Sequence, residues 1–318
     1  MIKSKKNKSC IIVAGPTGVG KSDVGLALAQ KIDGEIINAD MGQLYQPLSI
    51  GTAKPDFSTT DIPHHLFDII NTPTNYTVTQ YREDLLKKIE NISSRNKKAI
   101  VVGGSSFYLS SLFFPPKLDN LIAPSVHTSN CDPKNLWNTL HSVDPVRAKN
   151  IHPNDAYRLN RALDIWYTTG QKPSEYKPEF ESPLDSFLFL ICIRDRAELY
   201  ERINQRTRFM IEHGWIEEVE KLMQTPWQEF LLHKKIIGYD DIILYLQNDL
   251  AITKEELIER IAKKTRNYAK RQLIFLNMLQ KKLKQHCAAS LETYKVAEIN
   301  LTNLDVDLYI KQLSEQVL

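Results

Sequence analysis

A chain of 318 residues with 42% hydrophobic residues, 25% charged residues and a net charge of +3 has the make-up of a globular protein of about two domains, not of a disordered or fibrous one. Its longest apolar stretch, 187–193, is too short to cross a bilayer, which excludes a membrane-spanning helix. Cys10, Cys131, Cys192 and Cys287 show no C-x-x-C spacing, which excludes a zinc site and a disulfide framework and leaves free thiols in or near the core as the expectation.

The chain opens on Met1-Ile2-Lys3-Ser4-Lys5-Lys6-Asn7-Lys8, basic but with no long apolar segment before the first strand, so neither a signal peptide nor an anchor is expected and the expected location is the cytoplasm. The apolar run 11–14 reads as a buried strand. It leads straight into Gly15-Pro16-Thr17-Gly18-Val19-Gly20-Lys21-Ser22, which fits G-x-x-x-x-G-K-[ST], and then into a helical pattern over 21–32. Glycines in that order let successive backbone N–H groups turn inward around an anion, and the following helix points its positive end at the same place. Lys21 adds a full charge and Ser22 a hydroxyl suited to Mg2+. A di- or triphosphate group is the expected ligand; the loop alone leaves open which molecule carries it.

The second apolar run, 35–39, ends Ile36-Ile37-Asn38-Ala39-Asp40 and places Asp40 at the carboxyl edge of the sheet beside the loop. An aspartate there can ligate magnesium, act as a general base or cap a turn. Gln43 and Tyr45, just beyond, could orient an acceptor. Further buried strands are expected at 66–70, 99–102 and 187–193, with a helix over 78–93. Alternating strands and helices behind a phosphate loop predict an α/β fold, a P-loop-type, doubly wound and mainly parallel sheet. Gly103-Gly104 permits a close backbone approach after its strand.

From about 115 to 183 the proline and polar punctuation changes, no sheet strand is evident, and a helix near 155–169 precedes a loop over 170–183. The expected division is therefore 1–115 as the first part of the P-loop core, 116–185 as a small helical insertion and 186–318 as the second part of the core, helical to near its end. Between Arg260 and Lys284 the chain carries nine lysines and arginines and no acid, while Leu257, Ile261, Tyr268, Leu276, Leu279 and Leu283 recur at helical spacing. Such a run is either solvated surface or a patch of one sign for nucleic-acid phosphates. Neither an Asn-Lys-x-Asp guanine motif nor a second strand-end aspartate for magnesium is present, so a nucleotide hydrolase fits poorly and a transferase using a phosphate-bearing donor fits better.

The phosphate loop, Asn38-Ala39-Asp40-x-x-Gln43-Leu44-Tyr45, Ile50-Gly51-Thr52-Ala53-Lys54-Pro55, Val102-Gly103-Gly104-Ser105 and Asp144-Pro145 resemble the tRNA dimethylallyltransferase family. So do Ile151-His152-Pro153-Asn154-Asp155-x-x-Arg158-x-x-Arg161-Ala162-Leu163, Ile203-Asn204-Gln205-Arg206, Ile237-Gly238-Tyr239 and Thr265-Arg266-Asn267-Tyr268-Ala269-Lys270-Arg271-Gln272. The blocks run in family order from about Ile11 to about Leu276. The resemblance implies transfer of a dimethylallyl group from dimethylallyl diphosphate to the exocyclic amine of the adenosine 3′ to a tRNA anticodon, with Mg2+ as cofactor. It implies that residues 15–22 hold the diphosphate, that Ser22 binds the metal, that Thr17 and Arg206 assist at the donor, and that Asp40 takes the proton from the amine.

By the same resemblance Asp40, Met41, Gly42, Gln43, Ser105, Tyr157, Arg158, Leu159, Asn160, Arg161, Lys235, Ile236, Ile237, Gly238, Tyr239 and Asp240 face the anticodon stem-loop of tRNA; Arg266 and Lys270, on one face of the basic helix, are expected to join them, and a monomer is expected. The target base has to leave its stack, which suits a loop nucleotide. Tyr268 reads as core. Three departures stand out: Met41 and Gly42 follow the aspartate where the family has serine, Gly103-Gly104-Ser105-Ser106-Phe107-Tyr108 replaces Gly-Gly-Thr-Gly-Leu-Tyr, and 116–144 is shorter than the family's insertion. Prenylation of a free adenine nucleotide, a small-molecule kinase on the same loop and a non-catalytic tRNA-binding remnant are the alternatives; the basic segment argues against the first and the retention of Lys21, Asp40 and Arg206 against the last.

Overall fold

The computed structural model describes residues 8–115, 132–176, 179–287 and 293–317. Cys131 and residues 116–131 of the segment read as shortened lie outside the described residues. Strands β1 (Ser9–Ala14), β2 (Gly34–Asn38), β3 (His64–His65), β4 (Lys98–Gly103), β5 (Ser186–Ile193) and β6 (Tyr294–Asn300) form one sheet in the order β3-β2-β4-β1-β5-β6, every pairing parallel. β1, β2, β4 and β5 are buried along nearly their whole length, which is why they read as continuous apolar runs. Ala14 aligns with Gly103 on one side and Ile191 on the other, and Asn38 with Val102, so the chain leaves these strands at a common edge. The connections from β1 to β2 and from β4 to β5 run in opposite directions along the sheet. That reversal leaves a crevice at the carboxyl ends of β1 and β4.

Helices cover the sheet as the alternating pattern requires. α1 (Lys21–Ile32) turns Val24, Leu28, Ala29 and Ile32 inward. α2 (Val78–Ser94) starts on a capping box in which Gln80 N donates to the Thr77 hydroxyl and Thr77 N to Gln80 Oε1, satisfying two orphan donors at once. α3 (Ser106–Phe113) follows β4.

The chain divides into two compact units, Met1–Ser110 with Ser182–Leu318, and Ser111–Glu181. The smaller holds α4 (Pro133–Val143), α5 (Pro145–Lys149) and α6 (Ala156–Thr169) around Leu136, Leu140, Ala148, Ile151, Leu159, Ala162 and Leu163. Proline opens α4 and α5, where its missing N–H costs nothing, and Asp132, Asp144 and Asp155 cap the three helices. Asp144 Oδ1 accepts from Arg147 N at 2.9 Å and Oδ2 from Ser174 N at 2.6 Å, which gives Asp144-Pro145 a structural reason.

The larger unit continues with α7 (Arg196–Glu212), α8 (Trp215–Met223), α9 (Trp227–Lys234), α10 (Tyr239–Leu246), α11 (Lys254–Cys287) and α12 (Val306–Val317). α11 is 34 residues long and buries Leu257, Ile261, Ala269, Gln272, Leu276, Leu279 and Leu283 along one stripe. No helix among the described residues is long and apolar enough to cross a membrane. Cys10, Cys192 and Cys287 are free and buried, as expected.

Three expectations are corrected. The strand expected over 66–70 is a turn: Leu66 and Asp68 take left-handed backbone at φ 59° and 54°, and Ile70 makes only an isolated parallel bridge to Tyr45. Leu66 and Ile70 are apolar because they anchor that turn in the core, while the edge strand is His64–His65. β6 falls in a region read as helical; polar and apolar residues alternate along this half-exposed edge strand and no apolar run marks it. Tyr268 is absent from the buried stripe of α11, whose inward position there is Ala269.

Candidate active site

The loop after β1 is built to receive an anion. Gly18 and Gly20 stand at φ 83° and 101°, the left-handed region open to glycine, and α1 begins without a side-chain cap, so its first N–H groups stay available. Three arginines bond consecutive loop residues. Arg206 Nη2 donates to Thr17 Oγ1 at 2.5 Å, Arg202 Nε to the Gly18 carbonyl at 3.0 Å and Arg194 Nε to the Val19 carbonyl at 2.8 Å. The last two contacts fix the carbonyls of the loop, and Val19 N donates to the Pro16 carbonyl at 3.4 Å, closing its turn. Arg202 and Arg206 lie four apart on α7 and so share a face.

Lys21 and Arg206 are half-buried. Burial pulls the Lys21 ammonium below its usual pKa, Asp40 opposes that shift and Arg206 adds to it. Burial likewise lowers Arg206, with Asp40 again opposing. The Lys21 ammonium makes no hydrogen bond or ion pair among the described residues, and two cations crowded in one desolvated cradle want an anion. Ser22 presents an exposed hydroxyl at the first turn of α1. The described residues contain no group of three or more His, Cys, Asp or Glu side chains that could hold a metal. A divalent cation here would draw most ligands from a bound phosphate and water, the arrangement that suits Mg2+, and the oxygen of Ser22 fits it.

Asp40 sits beyond β2 on a fixed shelf. Asn38 brackets its backbone: Asp40 N donates to Asn38 Oδ1 at 2.7 Å, and Asn38 Nδ2 donates to the Asp40 carbonyl at 2.9 Å. Asp40 Oδ1 accepts from Gly42 N at 3.0 Å; Oδ2 has no partner among the described residues. Next to it Met41 N donates to Ser105 Oγ at 2.9 Å, and Ser105 N to the Ala39 carbonyl at 3.1 Å. Below the shelf Tyr81 donates to the Asn38 carbonyl at 2.9 Å and stacks on Tyr108 with 3.9 Å between ring centroids. Burial raises the phenol pKa of the half-buried Tyr268, and the charge of Asp40 adds to the shift.

A second layer holds the segment after Gln43. Gln43 Nε2 donates to the Thr52 and Ala53 carbonyls at 3.0 and 3.2 Å. Glu218 accepts from Ser49 N, Ile50 N and Gly51 N at 3.0, 2.7 and 3.3 Å and from the Tyr239 hydroxyl at 2.7 Å. Trp215 lies between Gly51 and Gly238; a Cβ on either would fall within 2.3 Å of its indole.

The structure thus gathers Thr17, Lys21, Asp40 and Arg206 at one end of the sheet, with Gly42, Gln43 and Ser105 beside them. In the smaller unit Tyr157 and Arg158 are exposed and Asn160 and Arg161 half-buried. Lys235 and Lys270 are exposed, and Met41, Ile236 and Ile237 half-buried. Several residues expected to face RNA are otherwise engaged. Leu159 and Tyr239 are fully buried and offer RNA no side chain, and Gly238 only makes room for Trp215. Arg266 donates to Asn204 at 2.5 Å and Glu259 at 2.7 Å, while Asp240 pairs with Lys264 at 3.1 Å. Tyr45 is likewise fully buried and donates to the Thr74 carbonyl at 3.1 Å, so it orients no acceptor. Arg194, Arg202, Trp215 and Glu218 lie outside the motifs read from the sequence, and Gln272 lies within one that gives no sign of its contacts. The i, i+4 repeat of arginine before Arg206 was the available signal for Arg202; nothing local marked Glu218.

A model of the IPP transferase family matches residues 43–279. A tRNA dimethylallyltransferase of Alkaliphilus metalliredigens is 38% identical over 286 residues, covering 86% of this chain and 90% of its own. One from Thermotoga petrophila is 37% identical over 270 residues, covering 83% and 88%. Among solved structures, a eukaryotic dimethylallyltransferase described as acting on tRNA is similar with TM-score 0.76 and 29% identity, over 98% of this chain and 78% of its own. The tRNA isopentenylpyrophosphate transferase of Bacillus halodurans is similar with TM-score 0.67 and 27% identity, over 98% and 96%.

Proposed function

The chain belongs to the IPP transferase family, and from that membership and the site we propose how it works. It prenylates tRNA, moving a dimethylallyl group onto the exocyclic amine of the adenosine 3′ to the anticodon. The donor is dimethylallyl diphosphate, with its diphosphate seated on the backbone N–H groups of Gly18, Gly20, Lys21 and Ser22. As the allylic C–O bond breaks, the bonding pair leaves with the diphosphate, and Lys21 and Arg206 meet the growing charge where it develops. Thr17 keeps the guanidinium of Arg206 in place.

The new bond forms between the amine nitrogen and the allylic carbon, and Asp40 Oδ2 accepts the amine proton. Holding both reactants at one sheet edge supplies the proximity that a weak amine nucleophile needs. Ser22 would hold Mg2+, which would add positive charge at the diphosphate when bound. Met41, Gln43 and Ser105 flank the adenine, and Tyr157, Arg158, Arg161, Lys235 and Lys270 meet the RNA backbone.

The observation that carries this reading is Asp40, held on its shelf with Oδ2 unpartnered among the described residues, at the same sheet edge as the phosphate loop that carries Lys21 and bonds Arg206. The test is mass spectrometry of adenosine from anticodon stem-loop RNA incubated with the protein, Mg2+ and dimethylallyl diphosphate but no ATP. A prenylated nucleoside is expected; its absence together with ATP consumption would replace this reading with a kinase.

A further inference from the structure

Gln272 occupies an inward position of α11 and is 2% exposed. Its Oε1 accepts from Thr17 N at 2.9 Å, and its Nε2 donates to the Gly104 carbonyl at 2.7 Å. One amide therefore joins the loop after β1 to the turn after β4, across the crevice where the sheet reverses direction. The fit is specific. A Cβ on Gly104 would lie 2.5 Å from Nε2 and 2.8 Å from the Gly15 carbonyl oxygen, so a side chain there would force the turn or the amide to shift. Of the side chains of this length, only glutamine offers an acceptor to an N–H and a donor to a carbonyl together.

Each end of the amide leads to a different substrate. Thr17 N–H, being taken, is withdrawn from the anion cradle, and its residue carries the hydroxyl that anchors Arg206. Gly104 precedes Ser105, whose N–H and hydroxyl hold Ala39 and Met41 on either side of Asp40. We propose that Gln272 is a positioning residue that couples donor binding to acceptor binding, through the path Arg206–Thr17–Gln272–Gly104–Ser105–Met41. A diphosphate that draws the loop tight pulls on Gly104 and sets the shelf that receives adenine. By reciprocity, the acceptor strengthens the hold on diphosphate by the same factor.

The inference rests on the proposed function, and the test separates the two. Binding of anticodon stem-loop RNA to the full chain is measured at one fixed Mg2+ concentration, with and without inorganic diphosphate. This probe lacks the prenyl group that would touch adenine, so any favourable coupling passes through the protein. Wild type is expected to bind RNA about tenfold more tightly when diphosphate is present. In Gln272→Ala the factor falls to within about twofold while each ligand alone binds within a few-fold of wild type. Gln272→Glu still accepts from Thr17 N–H but repels the Gly104 carbonyl, and it loses the coupling as well. A merely structural glutamine would lower both affinities and the melting temperature and leave their ratio unchanged. Coupling that persists in either variant overturns the inference. Wild type that binds both ligands without coupling also overturns it and leaves the proposed function standing; wild type that binds neither overturns both.

Discussion

The Arg206 guanidinium donates to the Thr17 hydroxyl at 2.5 Å, so the charge aimed at the phosphate cradle comes from α7 but is steered by the loop itself. Arginine has several rotatable bonds, and one contact to a fixed hydroxyl removes much of that freedom before a ligand arrives. Lys21, by contrast, extends from the first turn of α1 with no protein partner among the described residues. The two cations are therefore expected to respond differently to mutation.

Lys21→Ala and Arg206→Ala each remove a preorganised charge from the leaving diphosphate and should slow single-turnover transfer by about 100-fold or more. Thr17→Val keeps the shape of the loop and both charges but frees the guanidinium. Its loss should be about tenfold, a fraction of that for Arg206→Ala. Rapid-quench measurement with saturating RNA and dimethylallyl diphosphate checks the order; near wild-type rates in both alanine variants would place the diphosphate elsewhere.

Trp215 makes a structural prediction away from the chemistry. Gly238→Ala places a methyl 2.2 Å from the indole at a backbone φ of 89°, combining overpacking with left-handed strain. Destabilisation by about 3 kcal/mol is expected, read as a lower denaturation midpoint with an unchanged slope. Trp215→Phe removes the ring atoms that clash and should recover part of that loss in the double variant. A neutral Gly238→Ala would mean that the indole is free to move.

How much of this was legible in the chain follows from how each signal arises. The phosphate loop was readable because its glycines, lysine and strand-to-helix order are all local. Asp40 was readable because an apolar strand ended on it. Gln272 stood inside a recognised block yet gave no hint of its task, since its two partners, Thr17 and Gly104, lie 255 and 168 residues away along the chain. β6 was hidden by its edge position, where half the side chains face water. Tyr239 and Leu159 are buried although they stand in family motifs, because such motifs mark residues that shape a surface as well as those that lie on it.

Glu35 gives a pH prediction. Its side chain is buried, accepts from Arg95 Nη2 at 2.8 Å and meets His65 Nε2 at 2.7 Å. The Arg95 hydrogen bond is the largest influence; burial opposes it, His65 assists it, and together they hold the carboxyl down at about 2 against an ordinary 4.5. A carboxyl depressed on folding adds stability that is complete above about pH 4.5 and disappears as pH falls towards about 2. Glu35→Gln should therefore melt several degrees below wild type at neutral pH and converge with it through that window. Parallel melting curves across the whole acid range would refute the assignment.

The most decisive substitution is Asp40→Asn. The structure explains why this variant should keep its shape: Asn38 holds the backbone at residue 40, and Asp40 Oδ1 accepts from Gly42 N, a contact that asparagine repeats with its own Oδ1. What asparagine cannot repeat is Oδ2, which becomes an amide nitrogen with no capacity to take a proton. If Asp40 were only a turn cap, asparagine would serve nearly as well and the rate would stay within a few-fold of wild type. As general base, it should instead lose about 100-fold or more in the chemical step, with both substrates binding almost as before. Single-turnover rates at saturating RNA and donor separate the step from binding. Met41→Ser, measured beside it, restores the side chain the family places next to the aspartate. A faster Met41→Ser enzyme would show that a hydroxyl at that position helps hold the acceptor, whereas an unchanged rate would show that Ser105, bonded to Met41 N at 2.9 Å, already fixes the shelf.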